Sequence, residues 1–314
     1  MNRVPAHRLA TILLLLVLPG SAVPQNTAAG SGGELVATLA AGQAVIVSAR
    51  HGVAVATVRR EVEPASLPPL IVPLGGGAAA VLFGAVDWQS WPSRRAVLRL
   101  EQELPRLGAA LAGQAPRLVP EQTVERAGAE RLALALLEPL RAAAAGLHAP
   151  LDLPDGWPLL ELLLVTRRDG TTTVWDLAYP VRQRNLRGDF WDTEVQRARI
   201  ELRYPAPDSR PVLQIGYPQE EENFLARLLA LPNLSGRLAD VRQRLVTGKT
   251  GRLTLADAAE VLTLALHPSA ASGAALLAEI RDEGGFQWVY APPPESAERQ
   301  APASPSGPSL KRPD

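Results

Sequence analysis

Two β-branched apolar runs, 44–49 and 53–58, flank Arg50-His51-Gly52. That pattern predicts two strands joined by a tight turn, with Gly52 supplying the positive φ such a turn needs. Residues 70–74 and 79–88 repeat it around Gly75-Gly76-Gly77. Pro68, Pro69 and Pro73 cannot donate ladder hydrogen bonds, which assigns the strand near them to a sheet edge. The period then becomes helical. Over 93–111, Val97, Leu100, Leu104, Leu107 and Leu111 recur on one face behind Ser93 as N-cap. Pro105 should kink or break this helix. A second helical stretch, 121–147, puts Val124, Leu132, Leu136 and Leu140 on one face, and Pro139 obscures its end. The loop that follows contains the expected boundary, 149–157, should the chain divide into two domains.

From 159 to 217 the pattern is β again, with strands expected at 160–165, 171–181, 193–204 and 212–217. Arg168-Asp169-Gly170 is a strong turn, so neighbouring strands should pair as an antiparallel meander. Side chains alternate faces along a strand. Trp175, Leu177, Tyr179 and Val181 therefore share one face, opposite Asp176, Arg182 and Arg184. Likewise Ala198, Ile200, Leu202 and Tyr204 lie opposite Arg197, Arg199, Glu201 and Arg203. The expectation is a sheet with an apolar side for helices and an arginine-rich side for water or a partner. An ordinary solvated face, with Asp176 and Glu201 as internal counter-charges, is the alternative.

Residues 219–283 read as four short helices. The first follows Pro218 with Phe224, Leu225, Leu228 and Leu229 inward, and stops at Pro232. Ser235 caps the second, which carries Leu238, Val241 and Leu245 and ends at Gly248. Thr254 and Asp257 resemble a capping box for the third, with Val261, Leu262 and Ala265 inward and an end at His267-Pro268. The fourth starts at Ser269 or Ser272 and ends at Gly284-Gly285, before a last strand at 286–291. The fold class is α+β: an antiparallel meander flanked by helices, with a β-rich N-terminal segment and a helical C-terminal part. By this reading 34–148 forms a β-rich then helical N-terminal part, and 158–291 holds the sheet and the C-terminal helices. Residues 292–314 form a Pro-rich tail too poor in apolar side chains to fold.

The N-terminus changes the picture of where this protein works. Arg3 and Arg8 precede a short apolar run, 9–18, then Pro19, Gly20, Ser21 and Ala22. This is the order of a cleaved secretory signal over 1–22, and the run is too short to span a bilayer. Residues 23–33 then form a flexible leader. The expected location is outside the cytoplasm, periplasmic or extracellular, without stable membrane insertion after cleavage. The chain has no cysteine, so disulfides and thiol chemistry are excluded.

The 32 basic and 32 acidic residues cancel. Without a global field, and with no aromatics interleaved on the arginine face, nucleic acid is not the expected partner. Gly248-Lys249-Thr250 lacks the earlier glycine of a phosphate loop, since position 243 is Gln243. His51, His148 and His267 have no ligand spacing, so no metal or other cofactor is expected. Trp88 and Trp91 read as packing residues rather than a sugar platform.

Two chemistries remain. Arg182, Arg184, Arg197, Arg199 and Arg203 could bind an acidic protein surface or an anionic glycan, because guanidinium forks match carboxylates. The function expected is a non-catalytic binding or assembly module of the cell envelope. Alternatively, Asp189, Asp192 and Glu194, beside Phe190 and Trp191, could serve a secreted carbohydrate hydrolase, which needs two acids flanking a sugar. The same acids alternating with Arg182, Arg184 and Arg187 also read as a solvated ion-pair network. A purely structural scaffold is a third reading.

Overall fold

The computed structural model describes residues 35–40, 43–58, 71–90, 98–112, 123–145, 158–187, 190–205, 212–216, 228, 230–231, 234–247, 249, 253–271, 275–283 and 285–291. The elements in chain order are β1 (Leu35–Ala40), β2 (Gln43–Ala49), β3 (Gly52–Val58), β4 (Ile71–Gly75), β5 (Ala78–Ser90), β6 (Leu98–Arg99), α1 (Leu100–Ala112), α2 (Val124–Ala144), β7 (Leu160–Arg168), β8 (Thr171–Tyr179), β9 (Val181–Arg187), β10 (Phe190–Val195), β11 (Arg199–Tyr204), β12 (Val212–Gly216), α3 (Gly236–Thr247), α4 (Leu255–Ala271), β13 (Ala275–Arg281) and β14 (Gly285–Tyr290). The architecture is mixed α and β, and all strand pairing in its three sheets is antiparallel.

The first sheet runs β1-β5-β7-β8-β11, with β4 and β6 also paired to β5. The second runs β12-β2-β3-β13-β14, and β9 with β10 forms a separate two-stranded ribbon. The two large sheets lie face to face. Ile46, Val53 and Val55 from one pack with Phe83, Leu163, Val165 and Val174 from the other, joined by Leu276 and Ile280. Helices cover both outer faces. Leu100, Leu104, Leu136 and Leu140 lie on the first sheet, and Val241, Leu245, Val261 and Leu262 lie on the second. The order of layers is helix, sheet, sheet, helix.

Sheet membership crosses the chain. Strands before and after 149–157 join in the first sheet, where β5 pairs with β7 from Gly84↔Leu160 to Ala78↔Thr166. Gly84 permits this crossing at a φ of 83°. An added Cβ would stand 2.4 Å from the Leu159 carbonyl oxygen, a distance only glycine allows.

Several expectations need correction. The fourth C-terminal helix is a strand: β13 lies between β3 and β14, buried along all but its last residue. Its Ala-Leu-Leu-Ala-Glu-Ile-Arg sequence favours a helix, but tertiary burial overrides that preference. The C-terminal part is therefore not all helical, and α4 runs through Pro268 to Ala271. The strands expected at 171–181 and 193–204 are each divided, by Pro180 and by 196–198. In the first hairpin the positive φ belongs to His51, at 68°. Gly52 is needed instead for space, since a Cβ there would meet the Ile280 oxygen at 2.6 Å. Helix α1 starts at Leu100 and continues through Pro105, which as its sixth residue removes one hydrogen bond without breaking it.

Other expectations hold. The Gly75-Gly76-Gly77 and Asp169-Gly170 turns carry positive φ throughout, and Pro73 lies in β4, which among the described residues pairs with β5 alone. Thr254 caps α4, accepting from the Asp257 amide at 3.1 Å and donating to its carboxylate at 2.7 Å. The expected signal (1–22), leader, tail and most of the 219–232 helix lie outside the described residues.

Candidate functional site

Strand β8 gives its odd-numbered side chains to the helix layer, and the ribbon continues that choice. Val181 and Val195 are opposite each other in the ribbon and pack on the α2 side of the first sheet. Gln183 donates to Thr193 Oγ1 at 2.8 Å on the same face. The Arg141 Nε of α2 donates to the Val195 carbonyl at 3.1 Å, and the Gln196 amide closes the ribbon base on Pro180 at 2.9 Å. Alternation then sends Arg182 and Arg184 to the other face, opposite Glu194 and Asp192 respectively. All four are exposed, as are Leu186, Arg187, Arg197 and Arg199.

Of the ion-pair network considered for the ribbon, Asp189 lies outside the described residues, and Asp192 and Glu194 are exposed. Among the described residues, Arg182, Arg184, Arg187, Arg197 and Arg199 make no salt bridge. Arg106, Arg126, Arg141, Arg167, Arg168, Arg203, Arg237, Arg244 and Arg281 all do. Five exposed guanidinium groups without a salt bridge thus lie between 182 and 199, and Arg50 in the β2–β3 turn is exposed without one as well.

Arg203 belongs to a different arrangement. It reaches Asp176 Oδ2 at 2.8 Å and Glu201 Oε1 at 3.3 Å. Within the first sheet the expected arginine face is therefore wet only on its edge strand β11. On β8 the same side carries Val174 and Asp176, and Val174 packs between the two sheets. A register shift between Leu202 and Tyr204 also turns Tyr204 into that layer, away from Ile200 and Leu202, because one extra bulge residue reverses the alternation.

Beside Arg203 lies a residue that the sequence did not bring forward. Glu161 pairs with Ala178 and Leu163 with Asp176, so the two acids are diagonal neighbours facing the second sheet. Their carboxyl groups are within hydrogen-bonding reach. Asp176 is buried, and its Oδ1 has no donor. Burial first, then the adjacent Asp176, pushes the Glu161 carboxyl up to about 7, against the lowering effect of Arg203. Burial likewise raises Asp176, with Arg203 opposing. The signal was a single acid inside the apolar run Leu159–Val165, at the parity of the buried Leu163 and Val165.

The acids considered for catalysis are placed less compactly. Asp189 lies outside the described residues. Asp192 and Glu194 share the exposed face of β10, each opposite an arginine across the ribbon. Among the described residues no group of His, Asp or Glu has the arrangement of a metal site. His51 sits in the β2–β3 turn, and His148 and Trp91 are outside the described residues. No helix among the described residues is long and apolar enough to cross a membrane. No protein-family model matches the chain, and no curated protein matches its sequence.

Proposed function

We propose that this chain is an exported, non-catalytic binding module that docks an acidic protein surface through Arg182, Arg184, Arg197 and Arg199, with Arg203 as an internally held member of the same face. The observation that carries this reading is the contrast in pairing. Nine described arginines have a carboxylate partner, while the five of the ribbon and the start of β11 lie close together in the chain and are exposed without one, as Arg50 is in the β2–β3 turn. Guanidinium groups left in this state retain their full capacity for bidentate carboxylate binding. Exposed Leu186, 66% accessible on the same ribbon, favours a protein partner over a glycan, since interfaces combine apolar anchors with arginine.

Surface binding to immobilised poly-glutamate, with polygalacturonate as the glycan counterpart, tests the proposal. Arg197→Glu/Arg199→Glu and Arg182→Glu/Arg184→Glu should each weaken poly-glutamate binding by about tenfold or more, and binding should fall as salt rises. Undiminished binding by both double variants would remove this face from the proposal. Stronger binding to polygalacturonate than to poly-glutamate would overturn the choice of a protein partner. A sugar hydrolase using Asp192 and Glu194 draws no support from acids displayed on an open ribbon.

A further inference from the structure

Arg203 stands in line with unpaired arginines, yet it is held, and the group holding it is electrostatically unbalanced. Glu161 of β7 and Asp176 of β8 lie diagonally on the inter-sheet face. From β11, Glu201 stands opposite Asp176, with Arg199, Arg203 and Tyr204 on the same strand. Phe83 of β5 stands opposite Glu161. The second sheet's described inward residues near this layer, Ala44, Ile46, Val53 and Val55, carry no ionisable group, and neither does Ser48. Ionised together, Glu161 and Asp176 would be two adjacent carboxylates against one guanidinium that Glu201 also shares. They would have no donor between them, and Asp176 Oδ1 is buried without one. A proton on Glu161 supplies the missing donor.

We propose that Glu161 and Asp176 share one proton that latches the edge strand β11 to its sheet, and that losing this proton to solvent loosens β11 together with the arginines at its start. In the latched state the Glu161 hydroxyl donates to the Asp176 carboxylate, whose other oxygen accepts from Arg203. In the released state two adjacent carboxylates repel, and Glu161, which is only partly exposed, needs more water than the inter-sheet layer gives it. Among the described residues β11 pairs with β8 alone, so opening there admits water at the least cost in ladder hydrogen bonds. The rise of the Glu161 carboxyl to about 7 places the transition near neutrality. As a control on partner binding, the latch rests on the docking surface proposed above; as a property of β11, it stands without it.

Hydrogen exchange over 199–204, corrected for the intrinsic pH dependence of amide exchange, reads the latch with no partner present. Protection should fall about tenfold or more between about pH 6 and about pH 8.5, while 160–168 and 275–281 remain protected. Glu161→Gln, which donates without ionising, should make protection at 199–204 independent of pH. Flat protection in the unmodified protein, or an equal fall in Glu161→Gln, overturns the latch. Should that variant fail to fold, infrared spectroscopy of the unmodified protein decides. A protonated-carboxyl stretch must be present at about pH 6 and gone by about pH 8.5, and its absence at the lower pH overturns the proposal. Poly-glutamate binding at both pH values separates the two ideas. A pH-dependent latch without binding removes the docking surface alone, and binding with flat exchange removes the latch alone.

Discussion

Arg167 is the residue through which the two sheets hold each other at one end. Its amide donates to the Gly77 carbonyl at 2.8 Å. Its guanidinium forks onto Asp282 at 2.7 and 3.2 Å and reaches Thr172 Oγ1 at 2.9 Å. Thr172 in turn accepts from Ser48 Oγ at 3.0 Å. One side chain, only 6% accessible, thereby connects β7, β8, β2 and the β13–β14 turn. The Arg167 side chain is buried but Asp282 is exposed, so water compensates the carboxylate when its partner is removed. Arg167→Met should lower the free energy of unfolding by about 1 kcal/mol, measured by urea titration at neutral pH, and a loss below about 0.3 kcal/mol would show the fork to be dispensable. Tyr179→Phe is a second test. The hydroxyl donates to the Ala133 carbonyl at 3.0 Å in a buried setting, so its loss should cost about 1 kcal/mol. Neither role was legible beforehand, because Arg167 reads as a turn flank and its partner Asp282 lies 115 residues away.

At the scale of elements, the attachment of the ribbon to α2 includes the packing of Val181 and Val195 and the Arg141 hydrogen bond to the Val195 carbonyl. Such an attachment can open without global unfolding. Arg141→Ala should therefore raise amide exchange over 181–195 by about fivefold to tenfold while leaving the urea midpoint nearly unchanged. Equal exchange in the variant would place the ribbon's support elsewhere. Element type was readable wherever one face is wet or a turn is chemically marked. Asp169-Gly170 and Gly75-Gly76-Gly77 announce their hairpins, and Leu132, Leu136 and Leu140 announce α2. It was unreadable in β13, which is buried on both faces and so lacks the period-two alternation that distinguishes a strand from a helix. The candidate site was half legible for the same reason. Parity put Arg182 and Arg184 on the face opposite Val181, but nothing local says that the face carrying Asp176 on β8 is covered by a second sheet.

For the whole molecule, acids stand in opposed electrostatic settings, and their linkage to pH gives the last prediction. Hydrogen bonding to Arg167 lowers Asp282, and hydrogen bonding to Thr254 lowers Asp257. A carboxyl lowered in the folded state contributes stability above its unfolded pKa, here near 3.8, and loses it as pH falls through the folded value. Glu161 works in the other sense. Raised from 4.5 to about 7, it binds a proton in the folded protein that the unfolded chain has already released, so stability declines as pH rises through that window. The two effects meet on the acid side of neutrality. The unfolding free energy from urea titration should be highest between about pH 4 and about pH 5 and should fall toward pH 8 by an amount on the order of 2–3 kcal/mol at most. In Glu161→Gln the fall between about pH 5 and pH 8 should largely vanish while the loss below about pH 4 persists, because the latter belongs to Asp282 and Asp257. A profile that rises steadily from pH 5 to pH 8 in the unmodified protein would mean that Glu161 is ionised and paired when folded. Asp176 Oδ1 would then have to find its donor elsewhere.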